Sequence, residues 1–166
     1  MERSMKGFAC ALFIALVAAW GQVTPAKAAE PAFQYFSTKL NVSDIDKSMA
    51  FYGGLMGMTE AGRNAGGVLE VLMTKTGPKN GPNEQALVLV YQKERKEPLN
   101  IGNGFNNITF VVTDIGAIIK KLEAAGYKVN GSAARRPSPT PLAKEIAVAF
   151  TKDPDGYSIE LLERFN

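Results

Sequence analysis

Apolar side chains recur along the chain with two different periods. Over 36–42, Phe36, Thr38, Leu40 and Val42 alternate with Ser37, Lys39 and Asn41, the period of two expected of a strand with unlike faces. From Ile45 onward the period lengthens. Ile45, Met49, Tyr52 and Met56 fall at helical spacing and form one core-facing stripe. Ser43 is the expected N-cap of that helix, and Asp44 suits the positive end of its dipole. Gly57 stands where a left-handed cap would close it. Strand-like stretches follow at 59–63, 68–75 and 85–91, with a loop rich in glycine, proline and asparagine over 76–83.

The same order then returns. Segment 107–115 repeats segment 37–45, with apolar residues at Leu40/Phe110, Val42/Val112 and Ile45/Ile115. The hydroxyl residue and aspartate recur as Ser43/Thr113 and Asp44/Asp114. Ile115, Ile118, Ile119 and Leu122 form the second helical stripe, capped by Thr113 and closed near Gly126. Strand-like stretches at 128–133, 144–152 and 157–163 complete the second copy. Asp153-Pro154-Asp155-Gly156 is a turn between the last two. The polar stretch 93–104 reads as a linker.

Each half is therefore β-α-β-β-β. One such half has a single sheet and helix and encloses little alone, whereas two can curl their sheets into a cleft. The expected fold class is α+β. Two βαβββ modules in tandem, about 33–92 and about 105–166, form a curled mixed sheet around a small-molecule cavity.

The first 28 residues read differently. Arg3 and Lys6 precede an apolar run over 8–20, then Pro25 and the small-residue pattern Ala26-Lys27-Ala28. This is the layout of a secretory signal peptide cleaved after Ala28, and the run is too short for a membrane span. Cys10 precedes most of the apolar run, which argues against a lipoprotein. The expected product is a single domain over 29–166, periplasmic or secreted and free of the membrane.

Removal of Arg3, Lys6 and Lys27 leaves 16 of 19 basic residues, and removal of Glu2 leaves 15 of 16 acidic ones. The net charge of about +1 leaves no field to attract nucleic acid. The only cysteine departs with the leader, so no disulfide is expected. Histidine is absent, which excludes Ser-His-Asp chemistry, Cys-His chemistry and His-ligated metal sites.

Val42-Ser43-Asp44-Ile45, followed by Phe51-Tyr52 and Leu55-Met56-Gly57-Met58, resembles the opening signature of the glyoxalase, bleomycin-resistance and extradiol-dioxygenase superfamily. These are also called vicinal oxygen chelate proteins. Asp153-Pro154-Asp155-Gly156-Tyr157 with Ile159-Glu160-Leu161 resembles its closing strand. The resemblance implies a glyoxalase-like fold and a homodimer. It also implies four metal-ligand positions, falling here at Ser37, Val88, Asn107 and Glu160. Only Glu160 keeps a usual ligand, and valine has no lone pair, so no metal cofactor is expected. A divalent cation at Glu160 is the lesser alternative.

Glu160 is the candidate catalytic residue. A carboxylate facing a partly apolar cavity suits a general base, because desolvation disfavours its charged form. An idle, paired glutamate is the plainer reading. Ser37, Asn107 and Val88 are candidate ligand-binding positions near it. Arg135 and Arg136, expected in a loop, could hold an anionic group, with Arg63 a weaker candidate. Two main functions follow: a metal-free small-molecule binder, or a glyoxalase-like lyase or isomerase using Glu160 as base. An interaction module pairing through strand edges is the third.

Overall fold

The computed structural model describes residues 35–79 and 84–166. The leader expected over 1–28 and the loop residues 80–83 lie outside the described residues. The first half runs β1 (Ser37–Val42), α1 (Ile45–Met49), β2 (Thr59–Ala65), β3 (Leu69–Thr74) and β4 (Ala86–Tyr91). The second runs β5 (Ile108–Val112), α2 (Ile115–Ala124), β6 (Asn130–Pro137), β7 (Glu145–Lys152) and β8 (Ser158–Phe165). Each half forms a four-stranded mixed sheet, ordered β1-β4-β3-β2 and β5-β8-β7-β6. The first and last strands of each half are parallel neighbours, and the other pairs are antiparallel.

The repeat seen in sequence is thus a repeat of topology, and the α+β class with tandem modules holds. The helices differ. α2 is a regular ten-residue helix. α1 gives way after Met49 to a π-helical turn, Ala50–Leu55, which carries Gly53 and Gly54. That wider turn buries both Phe51 and Tyr52 at 0% exposure.

The helix caps correct the sequence reading. Asp44, in extended conformation, accepts from the amides of Asp46 and Lys47 at 3.1 Å. Asp114 accepts from Ala117 N at 2.9 Å. The carboxylates, not the hydroxyls of Ser43 and Thr113, satisfy the free amides of the first turn. Ser43 is used elsewhere, as described below. Gly57 and Gly126 follow the helices at positive φ, as the left-handed caps require.

Alternation along the strands builds one core from both halves. Leu40, Val42, Val71, Met73, Leu87 and Leu89 come from the first sheet. Ala147, Ala149, Ile159 and Leu161 come from the second, with Phe51, Tyr52, Ile115 and Leu122 from the helical segments. Each large side chain buried this way contributes about 1.5–3 kcal/mol. The opposite face of each sheet carries the residues at issue for function. Among the described residues no helix is long and apolar enough to cross a membrane.

Candidate functional site

β8 places Ile159 and Leu161 in the core and turns Glu160 to the other face. In the parallel pairing with β5, Thr109 stands opposite Glu160. Asn107 lies one period before Thr109 and so shares its face. Glu160 Oε2 accepts from Asn107 Nδ2 and from Thr109 Oγ1, both at 2.8 Å. Asn107 Nδ2 also donates to Thr109 Oγ1 at 3.1 Å. The three side chains form a closed polar cluster, with Glu160 half-buried. Phe150 stands opposite Glu160 on β7 and is 42% exposed. Val111, two residues beyond Thr109, is 57% exposed. The carboxylate therefore sits among apolar surface that the core does not use.

The matching positions of the first sheet differ. Ser37 begins β1 opposite Ala86, and Val88 stands opposite Lys39 and Leu72. Val88 is 4% exposed. On its face Lys39 Nζ meets Glu70 Oε1 at 2.6 Å, an ion pair that bridges β1 and β3 across β4. Among the described residues no hydrogen bond joins Ser37 to the Glu160 cluster. The structure therefore brings Asn107 and Glu160 together, adds Thr109, and places Ser37 and Val88 on the other sheet.

Arg135 and Arg136 lie in strand β6, not in a loop. The chain stays extended there because β6 pairs with β7, with a register shift between Ser132 and Arg136 that absorbs extra residues as a bulge. Arg135 stacks on Phe165, its guanidinium carbon 3.8 Å from the ring centroid. Arg136 stands opposite Ile146, and both arginines are exposed. Arg63 forms a two-bond pair with Glu60, Nε at 2.6 Å and Nη2 at 2.5 Å. That partner holds the Glu60 carboxyl below its usual range.

The family model of the Glyoxalase/Bleomycin resistance protein/Dioxygenase superfamily matches residues 33–161. The chain belongs to this superfamily. Among relatives, a probable lactoylglutathione lyase of Vibrio parahaemolyticus is 33% identical over 126 residues, 76% of this chain and 87% of that protein. One of Synechocystis is 31% identical over 126 residues, 76% of this chain and 92% of that protein. Glyoxalase I of Leishmania major shares the fold with a TM-score of 0.62 at 21% identity, over 80% of this chain and 87% of that one. Glyoxalase I of Zea mays gives 0.64 at 21% identity over 80% of this chain, which spans 45% of the maize protein's length.

The superfamily resemblance implies a divalent metal, and the residues at its four positions do not fit one. Val88 offers no donor atom. Asn107 turns its amide nitrogen, a donor, toward Glu160, and Glu160 Oε2 is already engaged twice. Among the described residues no group of three or more His, Cys, Asp or Glu side chains converges. A transition metal needs several such ligands around one point.

The sequence marks Asp153 to Tyr157 as a turn and as part of the superfamily's closing signature, with no sign of long-range contacts. The structure makes it an inter-half junction. Tyr52 donates to Asp153 Oδ2 at 2.8 Å, while Tyr157 N and Asp155 N donate to Oδ1 at 2.9 and 3.0 Å. Ser43 donates to Asp155 through its amide at 3.1 Å and its hydroxyl at 2.5 Å. Tyr157 donates from its hydroxyl to Asn41 O at 3.1 Å. Burial pushes the Asp153 carboxyl up, opposed by the Tyr52 hydrogen bond. Burial, and then the Asp153 charge, push the Tyr52 phenol up. Asp153 followed by a tyrosine within the turn was the one sequence signal. Its partners lie a hundred residues away, beyond any local pattern.

Proposed function

We propose that this superfamily member binds a small, oxygen-rich molecule at Asn107, Thr109 and Glu160 without a transition metal. One observation carries this reading: the only carboxylate at the four ligand positions is already engaged by an amide and a hydroxyl. Such a cluster offers directed donors and acceptors. A ligand hydroxyl can replace Asn107 or Thr109 at Glu160 by exchanging one hydrogen bond for another, at little net cost. The exposed Phe150 and Val111 give apolar surface for the remainder of the ligand. The test is native mass spectrometry with lactoylglutathione and a panel of aromatic compounds, with no metal added. A retained adduct that weakens in Glu160→Gln is expected, and failure of every compound to bind would sink the reading.

A second reading is a lyase or isomerase with Glu160 as general base, favoured by the 33% identity to a probable lactoylglutathione lyase. Turnover of lactoylglutathione by the wild type, lost in Glu160→Gln with the fold intact, would choose it over binding alone. The reading of the leader implies export, with the mature chain beginning at Ala29, and intact-mass measurement on secreted material tests this. The expected homodimer is tested by light scattering.

A further inference from the structure

The hydrogen bonds of the Glu160 cluster leave a one-sided remainder. Asn107 Nδ2 carries two donor hydrogens and donates to Thr109 Oγ1 and to Glu160 Oε2. Thr109 Oγ1 carries one and donates it to Glu160 Oε2. Every side-chain donor of the cluster is therefore spent inside it. Two acceptors are left over, Glu160 Oε1 and Asn107 Oδ1. Neither has a hydrogen-bond partner among the described residues, and neither is sealed from solvent.

Charge is one-sided as well. Among the described residues no Lys or Arg side chain lies within ion-pairing distance of Glu160. Lys152 shares the face through β7, two residues from Phe150, but its Nζ donates to Gly156 O at 3.1 Å. Arg164 lies four residues along β8, about 13 Å away at the rise of a strand. Phe150 is the register partner of Glu160 across the β7–β8 pair, and its ring is 42% exposed. Partners on one face of an antiparallel pair have Cβ atoms about 4.5–5.5 Å apart, so ring and carboxylate can touch the same ligand group. A carboxylate pairs with a cation and an aromatic face attracts one. On the next row, exposed Val111 and half-buried Leu162 offer apolar surface.

An ammonium group has three N–H donors, a positive charge and no acceptor, the complement of this set. A carboxylate or phosphate would bring more acceptors and more negative charge to a place with a surplus of both.

We propose that the Glu160 cluster selects a primary ammonium group carried on a small apolar or aromatic body, held by Glu160 Oε1 and the Phe150 ring. This inference rests on the reading of the cluster as a binding site and adds the charge of the ligand, which that reading leaves open.

The test is a charge series on one shape. Benzylammonium, benzyl alcohol and benzoate are each titrated into the full chain, labelled with nitrogen-15, at neutral pH and constant ionic strength. The Asn107 side-chain amide and the Thr109 backbone amide report on the cluster. Saturable shifts with benzylammonium are expected, at an affinity about tenfold above that of benzyl alcohol, the margin of a charge-assisted hydrogen bond over a neutral one. Benzoate should give no saturable shift. Glu160→Gln keeps the shape, removes the charge and should bring amine and alcohol within about twofold of each other. Phe150→Leu keeps the carboxylate and should weaken the amine about two- to fivefold. Glu123→Gln, which removes an exposed carboxylate on α2, should change nothing. The ligand series is read on the wild type, so it decides the matter even if a variant does not fold. Alcohol bound as tightly as amine, or benzoate bound at these signals, would overturn this inference alone and leave the cluster a binding site. Silence of all three compounds would overturn it together with that reading.

Discussion

The two halves share a topology and diverge on one face. Toward the core they are near copies: Leu89 of β4 and Leu161 of β8 hold matching places and are both 0% exposed. On the opposite face the same strands carry Val88 in one half and Glu160 in the other. The valine lies beneath a surface ion pair, Lys39–Glu70. The glutamate is held by Asn107 and Thr109. Packing constrains the core face of a duplicated module in both copies, because close-packed interiors register the loss of even one methylene. The open face is free to specialise, and at this strand position only the second copy has a carboxylate.

This comparison can be broken most decisively at the core. Leu89→Ala and Leu161→Ala should each cost about 2–5 kcal/mol, measured by urea denaturation. Costs that differ by more than the spread between ordinary sites would mean that the halves are not equivalent inside. Next in size, Val88→Glu puts a carboxylate at the position of the first half that matches Glu160. At 4% exposure it should lose at least about 2 kcal/mol, because burying a charge without a dedicated partner is expensive. Unchanged stability would mean that the Lys39–Glu70 pair opens to receive it.

Tyr52→Phe removes a donor from buried Asp153 and should cost about 1–3 kcal/mol. Its pH dependence sharpens the result. Asp153 is raised above its ordinary 3.8, so the folded state binds more protons than the unfolded state between 3.8 and the folded value. This group's contribution to stability therefore falls as pH rises through that window. Tyr52 opposes the upward shift, so Tyr52→Phe should widen the window and steepen the loss in a stability–pH series. The smallest effect is expected of Lys39→Ala. An ion pair this exposed contributes about 0–1 kcal/mol, so the unfolding midpoint should barely move.

The architecture was legible because it rests on local periodicity. Thr38, Leu40 and Val42 alternate, Ile115 to Leu122 recur at helical spacing, and the repeat itself forecast two like sheets. Strand limits moved by a few residues, most at β6, where a bulge carries Arg135 and Arg136 along a strand rather than a loop. The π-helical turn after Met49 was not legible, since its apolar spacing resembles that of an ordinary helix. Within the site, the shared face of Asn107 and Glu160 followed from strand alternation and the family signature. Thr109 was missed because its role depends on the register of two distant strands. Glu163, which accepts from Ile115 N at 3.1 Å, was missed for the same reason.

The closing hairpin fastens the second half to the first at three points: Asp153 on Tyr52, Asp155 on Ser43 and Tyr157 on Asn41. Swinging one half against the other would have to rupture all three contacts together. The frame is therefore stiff between its halves, with the yielding left to side chains and loop tips. A cut placed in the linker 93–104 should accordingly leave two fragments that stay clasped.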